Sequence, residues 1–380
     1  MDETDPQRPI IRSSSHGAVK TGSGTTRHVT PALAIARAYE AAFDDIEIVF
    51  IGTAAGFETR IVPGMGYRLL LVSAAPFFGV GVFGKLRAGC GVALGLLQAR
   101  RILNSQQTRL VIGLGGYTST GVLLAARSLG LRTAIHEANI VPGLANRLLG
   151  RFADRVYLGF EAAAWPFPPA RTRLTGNPIA PEVIALSKEK PSGHPRMQQP
   201  VRILVTGGSQ GAAFFNRQVP TLLERLAQYG LGIEVWHQAG DFDLDPIRSA
   251  YAKAGLPALV TRYIGDIAAA YRWSDFAITR AGALTLAELA VCRLPALLVP
   301  LPGCANDHQT ANTEAVADAF GSWWVRESDW NADALASRIA GLLHRPDSWM
   351  KLKRQIGRLA APEAAQTIVA DCEELMRDRW

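Results

Sequence analysis

Val205-Thr206-Gly207-Gly208-Ser209-Gln210-Gly211-Ala212 follows directly on an apolar run, residues 201–205, and opens a segment of helical periodicity. A strand that ends in glycines and passes straight into a helix leaves backbone N–H groups free at the helix start and lets a ligand approach the chain closely. Phosphate suits such a turn, although a Gly-rich strand-to-helix turn in any α/β protein has the same composition. Thr279-Arg280-Ala281-Gly282-Ala283-Leu284-Thr285-Leu286-Ala287-Glu288 repeats the order of strand, glycine and helix. Here the N–H groups of Ala283, Leu284 and Thr285 face the position of a diphosphate, and Thr285 adds a hydroxyl. Glu288, one turn further in, is placed to accept hydrogen bonds from ribose hydroxyls, with plain helix capping as the other reading of the motif.

Outward from these turns, short runs rich in Val, Ile and Leu alternate with longer stretches of helical period, which predicts strand-helix-strand units around parallel sheets. The first half carries strands at residues 46–51, 68–72, 110–114, 133–136 and 155–160, with helices such as 31–42 and 121–129. The second carries strands at 201–205, 233–237, 259–263, 276–279 and 296–299, with helices beginning near Gly211, Ile247, Ile267, Leu284 and His308. Residues 346–377 read as one or two amphipathic helices. A polar, Pro- and Lys-containing stretch at 187–200 is the expected linker. The domains expected are therefore 1–186, then 201–357, with a C-terminal helix over 358–380 packing back on the first domain.

With 380 residues, 48% of them hydrophobic, the chain is long enough for two cores. A formal net charge of +7 favours anionic partners, and the scatter of Lys and Arg among apolar positions argues against nucleic acid. Cys90, Cys292, Cys304 and Cys372 form no Cys-x-x-Cys pair and no zinc spacing, so they read as reduced core thiols of a cytoplasmic protein. Residues 74–97 crowd Pro76, Phe77, Phe78, Val80, Val82 and Phe83 ahead of Lys85, Arg87, Arg100 and Arg101. An apolar loop followed by a basic helix suits shallow insertion into an anionic leaflet, and packing between domains is the alternative.

Further polar motifs follow strands and so point to the same ligand edge of an α/β sheet. Gly113-Leu114-Gly115-Gly116-Tyr117 and His136-Glu137-Ala138-Asn139 do so in the first half, where Asn139 can both donate to and accept from a sugar hydroxyl or acetamide. Pro300-Leu301-Pro302-Gly303-Cys304-Ala305-Asn306-Asp307-His308-Gln309-Thr310-Ala311-Asn312 does so in the second, bringing Gln309 to the crevice unless the loop is merely solvated. Thr21-Gly22-Ser23-Gly24-Thr25-Thr26-Arg27-His28 precedes the first helix, and His28 has the chemistry of a general base, or of a helix cap. Asp241-Phe242-Asp243-Leu244-Asp245 lacks the glycine and distal glutamate of a calcium loop and reads as a solvated loop with no metal.

Taken in order, Gly113 to Tyr117, His136 to Arg147, Gly176-Asn177-Pro178, Gly207 to Ala212, Tyr263 to Tyr271, Arg280 to Glu288 and Asp307 to Asn312 resemble the MurG family of peripheral membrane glycosyltransferases. The resemblance runs from about Gly22 to the C-terminal helices. It implies an α/β fold of two Rossmann-like domains facing across a cleft, the B-type glycosyltransferase fold. It also implies transfer of N-acetylglucosamine from UDP-N-acetylglucosamine to the 4-hydroxyl of undecaprenyl-diphosphate-linked N-acetylmuramyl peptide in peptidoglycan synthesis, at the cytoplasmic face of the inner membrane. By the same resemblance Ser209 contacts the diphosphate or uridine, and Ile264 meets uracil through its backbone. Ala283, Leu284 and Thr285 cradle the diphosphate, Glu288 holds ribose and Gln309 binds the hexose, with Arg280, Leu286 and Ala287 among the substrate-binding residues. Thr25, His28 and Asn139 face the cleft from the first domain, with His28 the expected base and Glu137 the second candidate. Helix dipoles stabilise the leaving diphosphate, so no cofactor or metal is expected at the reaction centre.

The sequence departs from that family at three places. Thr26 and Arg27 stand where the family carries a glycine pair, Ala180 stands where it has an arginine, and residues 13–20 are polar where an apolar first strand is expected. The last departure predicts that the strand is displaced to Pro9-Ile10-Ile11 or damaged. The loop change leaves open a noncatalytic paralogue that still binds UDP-sugar. A transferase with another acceptor, or a UDP-sugar epimerase, is the other rival, and an epimerase would have no use for the apolar loop at 74–83.

Overall fold

The computed structural model describes residues 15–20, 29–54, 56, 58–73, 82–189, 200–208, 211–304, 307–321 and 323–377. Within them, two sheets hold the strands. The first contains β1 (Ser15–Lys20), β2 (Ile46–Gly52), β3 (Arg68–Leu71), β4 (Thr108–Gly113), β5 (Arg132–Glu137), β6 (Arg155–Leu158) and β7 (Thr172–Leu174). The second contains β8 (Val201–Thr206), β9 (Ile233–Gln238), β10 (Ala258–Thr261), β11 (Phe276–Thr279) and β12 (Ala296–Leu298). Their orders are β3-β2-β1-β4-β5-β6-β7 and β10-β9-β8-β11-β12, with every pairing parallel. Both are doubly wound sheets in which the strand order reverses once, between β1 and β4 and between β8 and β11. That reversal leaves a crevice at the carboxyl ends of the strands.

Burial explains why the strands read so clearly. In β8 every residue but Arg202 is buried, and all four residues of β11 are, because helices cover both faces of a parallel sheet. Two cores back the first sheet, one built on Val29, Ile35, Phe50, Leu110 and Ile112 and the other on Ile51, Leu103, Val111, Ile135 and Val156. A third surrounds β8 and β11.

The first strand corrects the sequence reading. Residues Ser15–Lys20 form an interior strand of the first sheet, with Val19 opposite Phe50 on one side and Ile112 on the other; Pro9, Ile10 and Ile11 lie outside the described residues. Polarity misled because hydrogen bonding to both neighbours satisfies the backbone of a central strand whatever its side chains. The helix expected at 121–129 also begins earlier, at Gly116–Ser128. Gly115 and Gly116 have φ of 93° and 80°, a left-handed turn open to glycine that starts the helix directly after the strand.

Two crossings join the sheets. Past β7 the chain runs through Gly176-Asn177-Pro178 into the helix Pro181–Leu186, whose Val183 and Leu186 lie in the core of the second sheet. The two terminal helices are Pro346–Gly357 and Ala364–Arg377. The latter returns to the first sheet, burying Ala365, Ile368, Val369 and Cys372 there, while Arg155 Nε and Tyr157 Oη donate to Asp371 Oδ2 at 2.9 and 2.8 Å. The crossings touch where Gly176, at φ 81°, lies so close to Ala361 that a side-chain carbon added at Gly176 would meet Ala361 Cβ at 2.3 Å. Gly176→Ala is therefore expected to destabilise the protein by about 1–3 kcal/mol, through backbone strain and overpacking, read as a lower urea midpoint.

Candidate functional site

A cleft of about 970 Å³ runs between the strand ends of the two sheets. Its second-sheet wall begins where β8 and β11 stop side by side, Thr206 opposite Thr279. After β8, Gly208 and Gly211 have φ of 84° and 71°, and a side-chain carbon at Gly211 would lie 2.1 Å from the Ala239 carbonyl oxygen. Gln238, from the neighbouring strand, secures the turn: its Nε2 donates to the Gly208 carbonyl at 2.9 Å and its Oε1 accepts from Thr206 Oγ1 at 3.0 Å. Ala212 then starts the helix Ala213–Ala227 without a side-chain cap. After β11, Gly282 starts the helix Ala283–Cys292, again without a side-chain cap. Two helix N-termini therefore present amides to one cleft, and each carries the equivalent of about half a positive charge.

Ala283, Leu284, Thr285 and Glu288 all line this wall. Leu286 and Ala287, expected beside them, do not. The helical period turns Leu286 into the sheet, where it is 2% exposed, and Ala287 packs against the same core. Glu288 Oε2 accepts from Tyr271 Oη at 2.8 Å. Burial nonetheless pushes its carboxyl up to about 7, since the one hydrogen bond only partly offsets the loss of water. Ile264 and the exposed Tyr263 stand next along the wall.

Arg280 and Gln309 are placed differently from their expected roles as free ligand groups. Arg280 lies over the Phe215 ring, donates to the Val299 carbonyl at 3.2 Å and pairs with Glu327. Gln309, 3% exposed, accepts from the Ala281 and Leu301 N–H groups at 3.2 and 3.0 Å and so ties the turns after β11 and β12 together. Both still border the cleft.

Facing this wall, the loop after β5 is organised by Glu137. Its Oε1 accepts from the Asn139 N–H at 2.9 Å and from Asn139 Nδ2 at 3.3 Å, and its Oε2 accepts from the Gly143 N–H at 3.0 Å and Asn146 Nδ2 at 2.9 Å. Burial holds this carboxyl above the ordinary carboxylate range, although all these donors pull it down. Asn139 is likewise engaged, for its Oδ1 accepts from Asn312 Nδ2 at 3.2 Å. Thr25, His28 and Ser209 lie outside the described residues. Val29 and Thr30, next in the chain after His28, line the cleft.

Sequence reasoning missed Asn312, Glu327, Asn146 and Gln238. Asn312 and Asn146 fall inside motifs quoted for other residues, whereas Glu327 carries no local signal, its position coming from the packing of a loop past β12.

Family models agree with this architecture: the glycosyltransferase family 28 N-terminal domain matches residues 19–158 and its C-terminal domain residues 202–368. The chain is 36% identical over 359 residues to the UDP-N-acetylglucosamine--N-acetylmuramyl-(pentapeptide) pyrophosphoryl-undecaprenol N-acetylglucosamine transferase of Myxococcus xanthus, covering 94% of this chain and 93% of that protein. It is 37% identical over 359 residues to the protein of that name from an Anaeromyxobacter species, with the same coverage. The crystal structure of Acinetobacter baumannii MurG superposes with a TM-score of 0.76 at 28% identity, over 95% of this chain and 99% of that one. Shared residues along nearly the full length, domain models in the same order and a common two-sheet fold place the chain in the MurG family of glycosyltransferases.

Proposed function

We propose that this chain transfers N-acetylglucosamine from its UDP carrier to the 4-hydroxyl of an undecaprenyl-diphosphate-linked N-acetylmuramyl peptide while resting on an anionic membrane surface. The observation that carries the donor half is the pair of uncapped helix N-termini opening at adjacent strand ends, with Glu288 one turn inside the second. The diphosphate sits against the amides of Ala283, Leu284 and Thr285 and against the turn at Gly207 to Gly211, including Ser209. Ribose donates to Glu288, uracil lies along Ile264, and the hexose lies by Gln309. Helix dipoles stabilise the charge that grows on the departing UDP.

In the transfer step the acceptor 4-hydroxyl oxygen attacks the anomeric carbon, the bond from that carbon to the diphosphate oxygen breaks, and a base takes the hydroxyl proton. Inversion follows from attack opposite the leaving group. His28 is the base in this reading, with Thr25 beside the acceptor. Glu137 favours that choice: both its oxygens are taken up by its own loop, so it shapes the acceptor wall instead of receiving a proton.

No helix among the described residues is long and apolar enough to cross a membrane. An exposed surface of the first sheet's helices suits peripheral binding instead. Leu124, Leu144, Leu148 and Phe152 are exposed there, and Arg127, Arg147 and Arg151 stand among them. Leu124, Arg127 and Phe152 line one shallow hollow, so these helices share a single patch. Residues 82–97 of the apolar segment expected at 74–97 begin the helix Val82–Ser105, on which Leu94 and Leu97 are exposed; residues 74–81 lie outside the described residues. Apolar contact and attraction to anionic lipid add at such a face.

Two outcomes test this reading. Ribose donates more strongly to Glu288 as a carboxylate than as a neutral carboxyl, so calorimetric affinity for UDP-N-acetylglucosamine should be level above the carboxyl's value of about 7 and fall below it, by at most about tenfold per pH unit. Glu288→Gln should bind more weakly at pH 8 and lose that slope; a wild-type affinity indifferent to pH between 5 and 8 removes Glu288 from the ribose site. The triple change Leu148→Ser, Arg151→Glu, Phe152→Ser should abolish flotation with phosphatidylglycerol vesicles and leave donor affinity within twofold. Flotation undiminished by it would place the membrane face elsewhere.

A further inference from the structure

Asn312 is fully buried on the helix His308–Val316, which belongs to the second sheet's side of the cleft. Its Oδ1 accepts from the Ile140 N–H at 2.9 Å, and its Nδ2 donates to Asn139 Oδ1 at 3.2 Å and to the Ala281 carbonyl at 3.4 Å. Ile140 and Asn139 lie on the loop after β5, in the first lobe. Ala281 lies on the turn after β11, in the second, one residue before the Gly282 that starts the diphosphate-facing helix. One side chain thus bonds to the loop of each lobe, and both ends of its amide are in use.

Each side of this junction is itself held firmly. Asn139 is clamped by Glu137 through its N–H and its amide nitrogen. Ala281 is held at its N–H by Gln309, one turn earlier on the helix that carries Asn312. A hydrogen-bonded path therefore runs from Glu137 through Asn139 and Asn312 to Ala281. Separating the lobes would strip partners from the buried amide of Asn312 at once, whereas a solvent-exposed ion pair yields easily. The Arg37 to Glu182 pair at the cleft edge is of that second kind, its side chains 32% and 58% exposed.

We propose that Asn312 is a positioning residue for the transfer step: it sets the distance between the acceptor wall, shaped by Glu137, and the donor diphosphate turn. The inference rests on the donor assignment above and adds the element that brings the two half-sites into register. The donor contacts assigned above, made by the turn at Gly207 to Gly211, Ile264, Ala283 to Thr285, Glu288 and Gln309, do not include Asn312, so donor binding survives its loss. Alignment of the acceptor hydroxyl with the anomeric carbon does not survive it, and a misplacement of about 1 Å costs on the order of a hundredfold in rate.

The test compares Asn312→Asp and Asn312→Ala with the wild-type protein in a transfer assay with lipid acceptor, alongside calorimetric binding of UDP-N-acetylglucosamine. Asp keeps the shape and the acceptor for Ile140 but turns an oxygen toward Asn139 Oδ1 and the Ala281 carbonyl. Both variants should lose ten- to a hundredfold in kcat with donor Kd within twofold of wild type. Asn139→Ala, which cuts the same bond from the other lobe, should fall in kcat alone, and combining it with Asn312→Ala should cost little more than Asn312→Ala by itself. A kcat within threefold of wild type in the Asp variant overturns the proposal. So does a donor affinity that falls in step with kcat, or a donor lobe that no longer folds, because Asn312 would then serve the second lobe alone. Failure of the wild-type protein to bind the donor would instead overturn the donor assignment.

Discussion

Two parallel strands that end next to one another, β8 and β11, release their chains toward the same crevice, and the chemistry of the cleft depends on that adjacency. A single helix start offers an anion a weak and quickly screened attraction, worth about 0.3–1 kcal/mol at an exposed site. Two that converge on one cleft offer a charged leaving group a fixed field that needs no rearrangement during reaction. Adjacency brings the helices together, and the absence of side-chain caps at Ala212 and Gly282 keeps their amides available. A serine or aspartate cap would turn one of those amides inward to the protein.

Glu137 and Glu288, on facing walls of the cleft, show how surroundings divide one chemical type between two tasks. Glu137 is saturated by donors from its own loop, so its carboxylate is structural. Glu288 has Tyr271 for its one side-chain partner and is partly buried in the cleft wall, so the loss of water pushes its carboxyl up to about 7. A raised carboxyl favours the folded state while protonated. Its contribution to stability is present below the unfolded value of 4.5 and is lost as pH rises toward 7, which is where a ligand able to donate to the carboxylate returns it. The unliganded fold is thus less stable near neutral pH than a neutral residue at 288 would make it, a pattern expected where a site is built for something other than its own packing.

The relation between the sheets rests on buried contacts of low symmetry. The chain crosses twice, and the crossings meet at Gly176 and Ala361 with no room for a side chain. Beyond the crossings, Asp371 fastens the final helix to Arg155 and Tyr157 of β6. Asn312, fully buried, bonds to a loop of each lobe elsewhere in this arrangement. Close backbone packing at one end and a fully bonded amide at the other leave the half-sites few ways to misalign.

By itself the sequence determined the fold class and the two glycine turns that open helices onto the cleft, because both are local. Runs buried on two faces read as parallel strands, and a glycine between strand and helix marks an amide cradle wherever the chain continues. It also determined that Glu288 belongs on the face of Ala283 to Thr285, since helical period alone places it there. That same period, applied strictly, turns Leu286 away. What only the tertiary structure decided was which polar groups are spent. Asn139, Gln309 and Arg280 read as ligand groups in sequence and Glu137 as a candidate base, yet each is engaged by residues far along the chain or by its own folded loop. The first strand was hidden for a related reason, as Ser15–Lys20 sits inside a sheet through backbone bonds to β2 and β4 that no hydropathy pattern records. Hydrogen bonds over long sequence separation have no periodicity to leave in a sequence, so their partners emerge only once the two lobes are packed.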